Sequence, residues 1–333
     1  MSVEHVRFKK ILLAACKIRL RRYCMPGENL INRRVLLMKN GFLYLLAVLF
    51  CVFSAGCGKT EKAPGALAVA GVPPVAYLAE RIAGEPVRSA LPEGRSPHDF
   101  SPQPGDVRSA AGARLFFVTG MPFEALMSKS VKASPVKVVD VTRKIHRIPL
   151  EGGSCGHEGH DHDHDHHDHA AMDPHVWLSP ANCRIIAENI LQALSSANPE
   201  KRAFYEANYK KLVSELDAAE KTMLEKLAPY KGRSFFVHHP AFGYFAAGAG
   251  LKQRSIELGG REPSPAQLAD VIREARSQQV RTVFVQMQFN PASANALAKA
   301  IGGTAQELDP LQRDVIANFH ALTAALVKGF GGK

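Results

Sequence analysis

Seven histidines and four aspartates fall within thirteen positions, residues 157–169, which read HEGHDHDHDHHDH. Neutral imidazole is a good ligand for zinc, copper and nickel, and an unperturbed histidine is mostly neutral near pH 7. The aspartates add oxygen donors and a negative field that concentrates divalent cations. The tract follows Gly152-Gly153 and has no hydrophobic periodicity, so it offers no face to pack and no fixed coordination geometry. His157, His160, His162, His164, His166, His167 and His169 are therefore expected to bind metal weakly and at several places, as an auxiliary feature. A selective site must lie elsewhere.

Beyond Cys57 and outside the tract, the histidines are His98, His146, His175, His238, His239 and His320. Three stand in suggestive contexts. His98 lies in the turn-rich stretch Gly94–Phe100. His175 lies in Asp173–Pro180, beside the single tryptophan. His239 follows the apolar run Phe235–Val237 and precedes Ala241–Phe245. All three occupy strand-to-helix junctions, where open α/β sheets gather their binding groups. Residue type alone does not separate a ligand from a structural imidazole here. Hydrolytic chemistry is disfavoured: His157-Glu158-Gly159-His160 is one residue short of HExxH, and no carboxylate stands out as a general base. Gly58-Lys59-Thr60 resembles the end of a phosphate-binding loop, but Phe53 stands where that loop needs its first glycine.

The elements that must position these side chains follow an alternating pattern. Short apolar runs at Leu67–Val69, Leu115–Val118, Val136–Val139, Ser234–Val237 and Thr282–Val285 suit buried strands. Helical periodicity fits Pro74–Ile82, Pro104–Ala110, Pro122–Lys129, Pro180–Leu194, Pro265–Arg276 and Pro291–Ile301. A leading proline is tolerated in a first helical turn, where its missing N–H would be unpaired anyway. Strands alternating with helices imply βαβ units and parallel sheets covered on both faces, an α/β fold. Asn198–Leu227 stands apart, with no glycine, no proline after Pro199, and Phe204, Leu212, Leu216 and Leu224 at helical spacing. It reads as one long helix, either a rigid spacer between two lobes or an amphipathic surface helix of one domain.

The 333 residues are 46% hydrophobic and 22% charged, which excludes a disordered tail, a small disulfide scaffold and a multi-span membrane protein. The net charge of +11 suggests nucleic acid until it is located: +7 falls on residues 1–37 and +1 on Lys39, leaving +3 for the remainder. From Met38 the sequence has one basic residue, an apolar stretch Phe42–Phe53, then Ser54-Ala55-Gly56-Cys57. That is the design of a secretory signal over 38–56, of lipoprotein type, with Cys57 acylated; a retained anchor is the alternative. Either one exports the body. Translation is expected to start at Met38, with residues 1–37 an extension of the reading frame. Of six cysteines only Cys57, Cys155 and Cys183 follow the expected cut, and a Cys155–Cys183 bridge stays open.

The combination of Pro97–Phe100 (PHDF), the His–Asp tract, Asp173–Pro180 (DPHVWLSP), His239–Phe245 (HPAFGYF), Arg261–Ile272 (REPSPAQLADVI) and Leu308–Leu311 (LDPL) resembles the metal-binding component of bacterial ABC importers. Within that solute-binding family it is similar to the zinc-specific, ZnuA-like branch of the TroA-like proteins, over about residues 66–330. The resemblance implies two βα lobes with parallel sheets, joined by one long rigid helix, with the metal in the cleft between them. It implies an N-terminal lobe at 58–197, a linking helix at 198–228 and a C-terminal lobe at 229–333. His98 and His175 would supply ligands from the first lobe and His239 from the second, with neighbouring His238 the runner-up. Asp309 matches a position where part of the family carries a carboxylate ligand, so the fourth position is Asp309 or water. Pro97 stands where some zinc members have a glutamate, and Gln286 departs from a common Glu-Pro pair. A ligand set of three imidazoles suits tetrahedral Zn²⁺ over manganese. The implied function is a monomeric, non-enzymatic zinc receptor serving a membrane permease and a cytoplasmic ATPase, touching the membrane through its lipid or the permease. A zinc buffer or surface adhesin using the same site is the alternative.

Overall fold

A computed structural model describes residues 65–151 and 172–332. The signal at 38–56, residues 1–37, Cys57, Cys155 and the histidines of 157–169 lie outside the described residues.

Two four-stranded sheets, both wholly parallel, share one topology. The first uses β1 (Ala68–Ala70), β2 (Arg88–Ser89), β3 (Leu115–Val118) and β4 (Lys137–Asp140) in the order β2-β1-β3-β4. The second uses β5 (Ser234–Val237), β6 (Lys252–Ser255), β7 (Thr282–Gln286) and β8 (Thr304–Leu308) in the order β6-β5-β7-β8. Between strands run α1 (Pro73–Ala83), α2 (Pro104–Ala111) and α3 (Pro122–Ser130) in the first half, then α6 (Gly243–Ala249), α7 (Pro265–Ser277) and α8 (Ala292–Ala300) in the second. Helices α4 (Pro180–Ala197) and α5 (Arg202–Leu227) connect the halves, and α9 (Val315–Gly329) ends the chain. Of the five apolar runs read from sequence, four are the central strands β1, β3, β5 and β7, because a strand covered on both faces must be apolar throughout. The fifth, Val136–Val139, falls on edge strand β4, which is mostly exposed and not buried as expected. β2, β6 and β8 lie beside a single neighbour and are mostly exposed. Their polar residues carry no run to detect.

Five of the helices open as the leading prolines suggest, with Pro74, Pro104, Pro122, Pro180 and Pro265 in the first turn, while Pro291 stands one residue earlier as the N-cap of α8. α9 starts differently: the Asp314 carboxylate accepts from the N–H groups of Ile316 and Ala317, both at 3.0 Å. The long helix is one turn shorter than its periodicity indicates, because Pro199–Lys201 forms a 3-10 turn before α5 begins. At about 1.5 Å per residue α5 still runs about 39 Å. Its buried stripe is Tyr205, Leu212, Leu216, Ala219, Met223 and Leu227. Phe204 and Leu224, read from sequence as part of that stripe, are 51% and 41% exposed. α5 packs against α1 and α4 from the first half and against α9 from the second. It is thus a shared spine, and the main core runs continuously through both halves.

Polar links fasten the halves near their facing edges. The Trp177 indole N–H donates to Pro310 O at 2.7 Å, and Arg313 donates to Glu80 at 2.8 Å and to Val87 O at 2.9 Å. The Glu151 carboxylate accepts from Gln253 at 3.3 Å and from Ser255 N–H at 3.4 Å, on edge strand β6. Cys183 is a free, fully buried thiol that donates to Trp177 O at 3.1 Å.

Candidate metal centre

His175 is fixed by its own loop. Two residues earlier, the Asp173 carboxylate accepts through Oδ1 from both the His175 backbone N–H and ring Nδ1, each at 2.8 Å. Leu178 N–H then donates to His175 O at 3.1 Å, and the Ser179 hydroxyl caps α4. Asp173 is anchored in turn: its carbonyl accepts from Tyr244 of α6 at 3.1 Å and from Arg147 at 3.3 Å. The Trp177 ring meets the His175 ring edge-on at 5.7 Å between centroids.

His239 sits just past β5, at the point where the order of the second sheet reverses between β5 and β7. Open α/β sheets bind ligands beyond the carboxyl ends of their strands at this switch point. Ring Nδ1 of His239 lies 2.6 Å from the carboxylate of Glu257, which follows β6 and is 5% exposed. His98 arrives on the long loop after β2, its N–H bonded to the Ser96 hydroxyl at 3.3 Å, and its side is exposed.

These three rings converge. Nε2 of His175 lies 3.1 Å from Nε2 of His98 and 3.4 Å from Nε2 of His239. Their candidate ligand atoms all lie within 4.8 Å of one another, and they form the one group of this kind among the described residues. Ligands at 2.0–2.1 Å in a tetrahedron are separated from each other by about 3.4 Å, so this spacing fits a zinc ion. On His175 and His239, Nδ1 donates to a buried carboxylate, which leaves the Nε2 lone pair directed at the other rings. Lone pairs meeting at such distances repel unless a cation or proton lies between them.

Desolvation favours the neutral form of His98 and His175. Burial pushes the His175 imidazole well below its usual value. His98 is exposed as a residue, but its ring end is enclosed against His175 and His239, and that desolvation, helped by the two neighbouring rings, takes it down to about 3. Burial also pushes Asp173 up to about 7, against the His175 N–H bond and the charges of His239 and Arg147. A divalent ion beside His175 favours the ionised carboxylate behind it.

Of the residues singled out by sequence, His98, His175 and His239 meet. His238 does not: its Nδ1 faces the Ser293 hydroxyl at 3.1 Å, and its Nε2 lies 3.5 Å from Glu262 on the other side of Glu257. Asp309 is also outside the group; its Oδ1 accepts from Gln288 at 3.0 Å and from Leu311 N–H at 2.9 Å. Gln286, which departs from the family pattern, is buried against His239, whose N–H donates to its Oε1 at 3.1 Å. Sequence reasoning missed Asp173 and Glu257 as partners of the ligands. Asp173 had a signal, since an aspartate two residues before a buried donor commonly accepts from it. Glu257 had none, because edge strand β6 that delivers it has no apolar signature.

Two parallel α/β lobes on a common spine, with three converging imidazoles where they meet, define a two-lobed binding protein with a metal-type centre. Residues 68–328 match the family described as zinc-uptake complex component A, periplasmic (ZnuA), and the chain belongs to that family. It is 31% identical over 271 residues to the high-affinity zinc uptake system protein ZnuA of Yersinia pestis, covering 75% of this chain and 85% of that one. It is 30% identical over 273 residues to the zinc-binding lipoprotein AdcA of Streptococcus pneumoniae serotype 4, covering 80% of this chain and 54% of the relative. The chain thus spans about half the length of that streptococcal relative. A crystal structure of ZnuA superposes with a TM-score of 0.71 at 29% identity, covering 80% of this chain and 99% of that one.

Proposed function

We propose that this protein is the extracytoplasmic zinc receptor of an ABC importer, which captures Zn²⁺ between its lobes and delivers it to a membrane permease driven by a cytoplasmic ATPase. The observation that carries the proposal is the meeting of His98, His175 and His239 through Nε2, two of them backed by buried carboxylates. Nitrogen donors of this kind favour zinc over manganese, which prefers oxygen. The receptor acts as a monomer, held to the membrane by a lipid on Cys57. The tract at 157–169 gathers zinc at low affinity and passes none of its geometry to the tight site. No step of this function makes or breaks a covalent bond in a substrate.

Calorimetry with Zn²⁺ on the protein from residue 58 onward tests this directly. One tight site is expected, together with weaker ones that disappear when 157–169 is deleted. His239→Ala is expected to weaken the tight site by about 3 kcal/mol, one ligand's share of the 10–16 kcal/mol typical of four-ligand zinc sites. His238→Ala should leave it intact. Loss of the tight site on deleting the tract, or equal losses from His238→Ala and His239→Ala, would overturn this assignment.

A further inference from the structure

The turn after β7 touches His239 in two ways. At its start Gln286, 1% exposed, forms a pair of hydrogen bonds with the backbone of His239. Gln286 Oε1 accepts from His239 N–H at 3.1 Å, while its Nε2 donates to His239 O at 2.5 Å. A carboxamide suits this task because it offers a donor and an acceptor side by side, as a neighbouring strand would. Three residues later Phe289 lies nearly parallel to the His239 ring, with centroids 4.8 Å apart and an interplanar angle of 19°. Phe289 N–H donates to Gln286 O at 3.0 Å, so the two contacts are ends of one closed turn.

What holds the turn is Asp309. Its Oδ1 takes the Gln288 amide N–H at 3.0 Å from the middle of the turn and the Leu311 N–H at 2.9 Å from its own loop. Its carbonyl accepts from Asn318 of α9 at 2.9 Å, which ties that loop to the helix. The chain of contacts therefore runs from α9 through Asp309 and Gln288 to Gln286 and Phe289, and ends on the backbone and ring of His239.

We propose that Asp309 is a positioning residue for the zinc site and not one of its ligands: it props the turn 286–289, whose Gln286 and Phe289 set the place and plane of His239. The inference rests on the zinc-receptor reading. It goes further by giving the conspicuous carboxylate of the LDPL segment a mechanical role.

The substitutions that separate strut from ligand differ by one atom type. Asp309→Asn keeps the oxygen that Gln288 and Leu311 use but removes the charge a ligand would supply; Asp309→Ala removes both. Zinc affinity, read by competition with a chromophoric chelator, should stay within about threefold of the parent in Asp309→Asn, and fall by about tenfold in Asp309→Ala, Gln286→Leu and Phe289→Leu. Substituting Co²⁺ for zinc gives a readout that bulk stability does not move. Its visible d–d bands should match the parent in Asp309→Asn, and shift in the three brace-breaking variants while keeping tetrahedral intensity. Circular dichroism of each metal-free variant identifies any that fail to fold, and Phe289→Leu, which removes no hydrogen bond, carries the test if Gln286→Leu is lost. If Asp309→Asn loses as much affinity as Asp309→Ala and alters the cobalt bands, Asp309 is a ligand and the inference is wrong. It is equally wrong if Phe289→Leu matches the parent in both measurements. A parent protein with no tight zinc site overturns the functional reading, and this inference with it.

Discussion

Glu257→Gln isolates the charge behind His239 without changing shape. The carboxylate is 5% exposed and its Oε1 lies 2.6 Å from His239 Nδ1. Partners that orient a metal-bound histidine typically contribute about 10–100-fold in affinity, or about 1.4–2.7 kcal/mol. Where in that range a variant falls depends on what fixes the new amide. In Glu257→Gln nothing compels the amide oxygen to face Nδ1. If the NH₂ group turns toward the ring instead, it donates to Nδ1 and forces the proton onto Nε2, where it blocks the ion. Asp173→Asn behaves differently, because Asp173 Oδ1 receives both the His175 backbone N–H and Nδ1, each at 2.8 Å. The backbone donor has no alternative tautomer, so it pins the asparagine oxygen in place. Glu257→Gln is therefore expected near the 100-fold end and Asp173→Asn near tenfold. Competition against a chelator of known zinc affinity at pH 7.5 measures both. Equal affinity of Glu257→Gln and the parent, or a larger loss in Asp173→Asn, would refute the tautomer argument.

Two further perturbations address the scaffold next to the site. Gly71→Ala should destabilise the protein by about 2–3 kcal/mol in chemical denaturation, because a Cβ at 71 would overlap the buried carboxylate of Glu124, which has no open side to move into. Glu124 accepts from the N–H groups of Thr119, Gly120 and Met121 at 2.7–2.9 Å, yet burial pushes it up to about 7 from 4.5. Between those limits the native state keeps a proton that the unfolded chain has released. Its stabilisation is complete below about pH 4.5 and fades as pH rises through about 7, by at most about 1.4 kcal/mol per unit. Denaturation of the parent and of Glu124→Gln from pH 5 to 8 should show a slope difference of that sign, and parallel curves would exclude it.

With the exception of edge strand β4, whose two valines made it visible, the legible part of this fold was the part that water cannot reach. β1, β3, β5 and β7 announce themselves as apolar runs because each is covered on both faces, and the proline-led helices because proline fits only a first turn. β2, β6 and β8 lie at sheet edges, and Arg88-Ser89 or Lys252–Ser255 looks like loop in any window. The same contrast divides the site. His98, His175 and His239 stand out as imidazoles at strand-to-helix junctions. That they meet is a property of the topology, since they lie 64 to 141 positions apart. Glu257 was hidden because its strand was hidden. Asp309 was visible as a carboxylate in a family position, but its hydrogen bonds to Gln288 and Leu311 are set by how two loops pass each other, which no spacing encodes.

The three imidazoles differ in how firmly they are held. His175 has Asp173 behind it, Trp177 at its edge and the start of α4 after it; His239 has Glu257, Gln286 and Phe289. Both rings are buried. His98 has no carboxylate on its ring and is exposed; its N–H meets the Ser96 hydroxyl of the same loop, and Phe100 two residues on rests its ring on Phe123 at 5.2 Å. A ligand that must let go needs low local stability, which comes from few buried contacts and a backbone open to solvent. Lobes sharing one core and one spine cannot part without exposing that core, whereas the loop of His98 belongs to neither sheet. On this reasoning, release of bound zinc to a chelator is expected to be faster in a variant that loosens the loop of His98 than in one that loosens the surroundings of His175 or His239; equal rates would refute it.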